Sequence, residues 1–211
     1  SMSASARSGL RKIQALGIEV DAPIIGYAPR ISLREPSFAP LQRAIEQARV
    51  VEFDYIKGGS DAAHRRRVQP WALVEYDGRW HVYGFDLLQD AERTFLLSRI
   101  ASDVVVTRTS FDLALREGAG EKALSGLRAV ADGQRARLQV EPGTEAVLRL
   151  HRRSVGEDDT GCLVPYVDAQ IFADELASYG PEVRVIDPPE LAELVATRLR
   201  RARDLHMEAA G

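Results

Sequence analysis

From Phe38 to Ala48 the apolar residues recur at helical spacing. Leu41, Ile45 and Ala48 fall on one face, and Gln42, Arg43, Glu46 and Gln47 on the other, so residues 38–48 are predicted to form an amphipathic helix. At Val51 the period drops to two. Val51, Phe53 and Tyr55 alternate with Glu52 and Asp54, the pattern of a half-buried strand. Lys57-Gly58-Gly59-Ser60 reads as a turn, followed by a second strand over 64–76 that Pro70 interrupts, which predicts an edge position or a bulge. Asp77-Gly78 signals a tight hairpin into a third strand, 79–85, with Trp80 and Val82 on one face and His81 and Tyr83 on the other. A turn at 88–91 leads to a fourth strand over 93–99 and a valine-rich fifth over 103–108. One helix followed by five short strands with tight turns describes a small closed or nearly closed β-barrel.

On either side of this block the pattern changes. Leu10, Ile13 and Leu16 have helical spacing before Gly17, which predicts a short helix over 7–16, and the prolines at 23, 29 and 36 predict a loop up to the barrel. Glycines 118, 120, 126 and 133 punctuate an alanine- and charge-rich stretch that reads as a linker, 114–133, with a short helix at 121–131. From Ala136 strands alternate with helices. A strand carries Leu138 and Val140, and a helix opening at 142–144 carries Val147, Leu148 and His151. A strand at 161–167 leads to Asp168, the expected N-cap of a helix ended by Gly180. A strand with Val183 and Val185 precedes a long last helix starting at Asp187-Pro188-Pro189. Its predicted buried stripe is Leu191, Leu194, Val195, Leu199, Ala202 and Leu205. The fold class is α+β: a barrel preceded by a helix, then a small α+β domain.

Composition narrows the function classes. The 211 residues are enough for two compact domains, and 45% hydrophobic with 28% charged is ordinary for a globular chain. No apolar run approaches the ~20 residues of a membrane span, and residues 1–9 lack the apolar segment of a signal peptide, so no membrane association is expected. Cys162, the single cysteine, forms no internal disulfide and fits a reducing cytoplasm. A net charge of −3 provides no global field for nucleic acid, so any such binding has to come from a local patch.

The candidate chemistry is cationic. In the run Arg65-Arg66-Arg67, Arg65 and Arg67 face one way, while Arg66 shares the face of Val68 and is expected at the core rim. A guanidinium there offers a planar fork to phosphate, and the plainer alternative is a solvated edge strand. Arg99, in Ser98-Arg99-Ile100, falls by alternation on the face of Phe95 and Leu97 and needs either a ligand or a salt bridge to Glu52 or Asp54. Arg93 is a secondary basic position, as are Arg65 and Arg67. Trp80 reads as core. His81 points away from it, towards a ligand or a structural partner. The four histidines have no metal-ligand spacing, Cys162 reads as a buried filler, and no nucleophile elbow, P-loop or dinucleotide fingerprint occurs. Neither an enzyme nor a bound cofactor or metal is expected.

An ordered set of signals resembles the WYL family. These are Ala44-Ile45, Val51-Glu52-Phe53-Asp54-Tyr55, Arg66-Arg67-Val68-Gln69-Pro70-Trp71, Gly78-Arg79-Trp80-His81-Val82 and the run Arg93-Thr94-Phe95-Leu96-Leu97-Ser98-Arg99-Ile100. Residues ending in Tyr179-Gly180 and Val185-Ile186-Asp187-Pro188 resemble the C-terminal extension that accompanies WYL domains. Gly9–Gly17 resembles the segment before the barrel in proteasome accessory factor B and C type regulators. The resemblance implies a leader (1–36), an Sm-like or SH3-like barrel (37–113), a linker (114–133) and an extension domain (134–211). It also implies a role as the ligand-sensing part of a cytoplasmic bacterial transcription regulator that works as a homodimer or with a related regulator and is tied to the DNA-damage response. In such regulators an N-terminal winged helix binds promoter DNA. None is visible here, so promoter contact is expected only through a head outside this sequence, or the protein is a sensor alone.

The family's ligand positions fall on Tyr55, Arg66, His81 and Arg99, with Ser98 adjacent. The implied ligand is single-stranded nucleic acid; the alternatives are a nucleotide-like small molecule, or no ligand at all in a pure dimerisation module. Two residues depart from the family pattern: His81 replaces a tyrosine, and Leu96 stands where an arginine is common.

Overall fold

The computed structural model describes residues 35–158 and 161–209. The helix expected at 7–16 lies outside them. The described residues divide into two compact units: 35–55 with Ala63–Ala123, and Ile56–Ala62 with the described residues from Leu124 on.

The first unit is built on a five-stranded antiparallel sheet. Helix α1 (Phe38–Glu46) precedes β1 (Arg49–Ile56), β2 (Ala63–Tyr76), β3 (Arg79–Asp86), β4 (Ala91–Leu96) and β5 (Val105–Ser110), in the order β4-β3-β2-β1-β5. The alternating residues of β1 reach the core as expected: Val51 and Phe53 are fully buried beside Leu41, Ile45, Val68, Val82, Phe95 and Leu97. Asp77 and Gly78 both have positive φ, 51° and 70°, the backbone a two-residue hairpin turn requires. Pro70 marks a bulge, because the β2–β3 register shifts between Pro70 and Ala72. Opposite it, Gly84 leaves room for the chain to pass, since a Cβ there would lie 2.0 Å from the Gln69 carbonyl oxygen.

Two strands differ from the sequence reading. The fourth stops at Leu96, and Leu97–Arg99 forms a 3₁₀ turn. The chain there leaves β3 and crosses to β1, where Ile100 bridges Tyr55 and Ala101 N–H donates to the Asp54 carbonyl at 2.8 Å. That crossing closes the barrel and ends the alternation on which the placement of Arg99 rested. The fifth strand consequently starts late, at Val105. Helix α2 (Ala119–Gly133) is longer than the predicted 121–131, and Ala119 and Ala123 are buried along it.

The second unit runs β6 (Arg135–Val140), α3 (Glu145–His151), β7 (Gly156–Asp158), β8 (Gly161–Pro165), α4 (Ala169–Ser178), β9 (Val183–Asp187) and α5 (Pro189–Ala209). The sheet order β7-β8-β6-β9 with this βαββαβ succession is the ferredoxin-like arrangement. Ala136, Leu138, Cys162 and Val164 face a core shared with Phe172, Leu176, Leu191 and Val195. The Asp168 carboxylate accepts from the backbone N–H groups of Gln170 and Ile171 at 3.0 and 3.1 Å, as its N-cap role predicts. Strand β7 escaped the sequence reading because it has three residues and no apolar alternation. The predicted stripe of α5 is half right. Leu191 and Val195 are buried, but Leu199, Ala202 and Leu205 are exposed. The amphipathic pattern outlasts the core it packs against.

Candidate functional site

The barrel closes at a seam where strand pairing gives way to side-chain chemistry. The seam-facing N–H of Leu96, the last residue of β4, donates to the Tyr55 hydroxyl at 3.2 Å. The Tyr55 ring packs edge-to-face on Phe95, 5.1 Å between centroids, and its backbone bridges Ile100. His81 is the register partner of Leu96 on β3. Tyr55, His81, Ser98 and Arg99 are therefore gathered around one short segment, Leu96–Ile100. Ser98 is exposed there and Arg99 half-buried.

His81 differs from the expectation of an outward-reaching ring. It is 7% exposed, and its Nδ1 lies 3.0 Å from the carbonyl oxygen of Arg79. Alternation did turn it away from Trp80, but the face it shares with Leu96, its neighbour across the ladder, is itself buried.

The arginines divide in the predicted way and then find carboxylates. Arg65 pairs with Glu52 at 3.1 Å and Asp54 at 3.4 Å, and Arg67 with Glu52 at 3.6 Å. Hydrogen bonding to Glu52 raises the Arg65 pKa above its ordinary value. These two are solvated and charge-paired, but β2 lies between β3 and β1, so the edge strand of the plainer reading is not found. Arg66 turns inward, with its side chain 17% exposed, and its Nη1 lies 3.4 Å from Oδ2 of the fully buried Asp86. Asp86 also accepts from the Leu88 N–H at 3.0 Å. A buried carboxylate needs a counter-charge, and Arg66 supplies it.

This corrects the picture of Arg66 and Arg99 as an open pair. Asp86 stands five residues beyond His81 on β3, about 16 Å of strand at the usual rise. The Arg66 guanidinium points towards that end of β3, away from the Leu96–Ile100 segment. Its backbone nevertheless shares the β1–β2 hairpin with Tyr55, and its contact is loose. A single N···O distance of 3.4 Å exceeds the ~2.8 Å of a good charge-assisted bond, and Nε is buried without a hydrogen-bond partner among the described residues. Arg93 is exposed on β4, opposite Gly84.

Sequence reasoning missed Asp86 because an aspartate at a strand end looks like a turn residue. It also missed a second polar cluster. The Tyr83 hydroxyl donates to Oε2 of Glu92 at 2.5 Å, and Lys122 of α2 lies 2.6 Å from the same oxygen. Burial, then the bond to Glu92, raises the Tyr83 pKa; the Lys122 contact holds Glu92 below the usual carboxylate range.

Residues 36–105 match the WYL domain family, and residues 130–203 match the WCX domain family. The chain carries a WYL domain followed by a WCX domain. Over 92% of its length it is 31% identical to protein PafB of Mycobacterium tuberculosis, and over 92% it is 27% identical to PafB of Mycobacterium leprae. It spans 64% and 63% of those two relatives' lengths. Among solved structures, proteasome accessory factor B/C (PafBC) of Arthrobacter aurescens matches 94% of this chain and 31% of its own, at 29% identity and a TM-score of 0.45. The WYL domain is the barrel, so the seam and the arginine run both lie on it. The WCX domain is the ferredoxin-like unit. Across both domains the chain is homologous to PafB.

Proposed function

We propose that this chain is the ligand-sensing part of a bacterial transcription regulator, and that the WYL barrel binds single-stranded nucleic acid at its seam. The observation that carries this reading is the gathering of Tyr55, Ser98 and Arg99 on the Leu96–Ile100 crossing; Arg66, turned towards Asp86, would meet only a more distant phosphate of the same strand. An aromatic ring with one guanidinium on the adjoining segment suits a base and its phosphate: stacking contributes about 1–3 kcal/mol per base, and the arginines add the salt-dependent part. His81, buried beside Leu96, holds the seam in shape and does not meet the base itself. The role is regulatory and non-catalytic, in the cytoplasm, with promoter DNA contacted only through a winged helix outside this sequence. A second, related regulator or a second copy completes the assembly, and the signal sensed is DNA damage.

Fluorescence anisotropy with a labelled oligonucleotide tests the site. Arg66→Ala alone is a poor probe because it strands Asp86. Arg66→Lys keeps the counter-charge and loses the planar fork. The double variant Arg66→Lys, Arg99→Ala should bind at least about tenfold more weakly than wild type at low salt. Equal binding by both proteins would remove the seam from consideration. A mononucleotide that raises the melting temperature where oligonucleotides do not would reassign the site to a nucleotide-like small molecule.

A further inference from the structure

Beside helix α1 the barrel unit carries a groove of about 480 Å³. Its lining is mostly apolar: Phe38 and Ile45 come from α1, Trp71 and Leu73 from the bulged strand β2, and Leu113 from the 3₁₀ turn after β5. Leu113 keeps 57% of its surface exposed, so apolar surface is left uncovered there. Two exposed carboxylates border the groove, Glu46 at the end of α1 and Glu117 after the 3₁₀ turn. Arg116, which also borders it, is engaged in the fold: its Nη1 donates to the Ile45 carbonyl at 2.8 Å. The groove is therefore a greasy seat with an acidic rim.

The chain itself carries a segment that matches this seat. Leu10, Ile13 and Leu16 recur at helical spacing, the pattern with which an amphipathic segment enters a groove. Around them residues 1–18 hold Arg7, Arg11 and Lys12 and no carboxylate, so the segment is as basic as the rim is acidic. The described residues begin at Glu35, and Phe38 already lines the groove. Residues 17–37 therefore form a tether whose far end borders the seat, and extended they span about 70 Å, ample for a return. Tethering of this kind gives an effective concentration on the order of millimolar, so a modest contact suffices where a free partner would need a tight one.

We propose that this groove is the docking surface for the chain's own segment 7–16, with Leu10, Ile13 and Leu16 against its apolar lining and Arg11 and Lys12 against Glu46 and Glu117. Docking covers the apolar surface at Leu113 and pairs the basic segment with the acidic rim. The seam takes no part in it, and the two sites stand or fall separately.

A nitroxide attached at Gln14→Cys in the whole chain reads the docking, since the native Cys162 is buried and stays unlabelled. In ¹⁵N–¹H spectra the backbone peaks of Gln42, Leu73 and Glu117 should broaden. The same label with Leu10→Asp, Ile13→Asp shows what the tether alone produces, and there the docked population should be about tenfold lower. Glu46→Lys with Glu117→Lys, both at exposed positions, should weaken the broadening. Adding Arg11→Glu with Lys12→Glu should restore it, which a merely damaged groove would not allow. No broadening at the three peaks, broadening as strong with Leu10→Asp, Ile13→Asp, or no recovery in the charge-swapped protein would each overturn the assignment. So would broadening in a mixture of labelled protein without ¹⁵N and ¹⁵N protein without label, which would make the occupant a second copy.

Discussion

Asp86 has no solvent-exposed side-chain surface, and its charge is met by one loose guanidinium contact and one backbone N–H. Removing Arg66 leaves that carboxylate buried and uncompensated. Arg66→Ala should therefore cost about 3 kcal/mol in urea unfolding, and adding Asp86→Asn should recover more than half of it, a coupling that a double-mutant cycle reads directly. The face of Arg66 was legible from the alternation with Val68. Its partner was not, because the two residues lie 20 positions apart and nothing in a strand-end aspartate announces burial. The Tyr83–Glu92–Lys122 cluster makes a pH prediction with a definite sign. Glu92 is held below the usual carboxylate range, so its contribution is present at neutral pH and lost as pH falls through that lowered value. Lys122 is held above its ordinary value, so its share fades only as pH rises through the raised pKa. On acidification, wild type should lose more melting temperature than Lys122→Ala, and near neutrality the wild type should be the more stable. A constant difference between the two across the acidic range would show that the contact is not coupled to protonation.

Among the elements, those with a sharp local signal were readable and those ended by tertiary demands were not. The Asp77-Gly78 hairpin, the bulge at Pro70 and the Asp168 cap each follow from one residue's backbone or hydrogen-bonding preference. The end of β4 does not. Arg93 to Arg99 alternates well enough to continue as a strand, but closure of the barrel requires the chain to cross to β1 at Leu97. Helix α5 shows the same limit from the other side. Its stripe is helical throughout, whereas its burial stops with the second unit's core, and Leu205 remains 57% exposed. Stability should follow burial, not pattern. Removing residues 201–211 should change unfolding free energy by less than about 0.5 kcal/mol, whereas Leu191→Ala should cost about 3 kcal/mol. Chemical denaturation of the two variants checks both.

At the scale of the whole molecule the net charge of −3 sets the approach of any polyanion. No long-range field draws it in, so association with an oligonucleotide should proceed near the unsteered ~10⁵–10⁶ M⁻¹s⁻¹. If Arg66 and Arg99 are the two phosphate contacts, the log–log slope of affinity against salt should be about −1.4, and stopped-flow and titration data across a salt series give both values. The barrel's wall adds a consequence of its own. Around most of its circumference neighbouring strands are laced by ladders of backbone bonds, but at Leu96 a phenol stands in for a strand. Deuterium should enter there first: Tyr55→Phe should speed exchange of the Leu96 amide about tenfold while leaving Val82 in the neighbouring ladder unchanged. A guest that takes the Tyr55 hydroxyl for itself would unfasten the wall at that point, so occupancy of the barrel would be written into how readily it breathes.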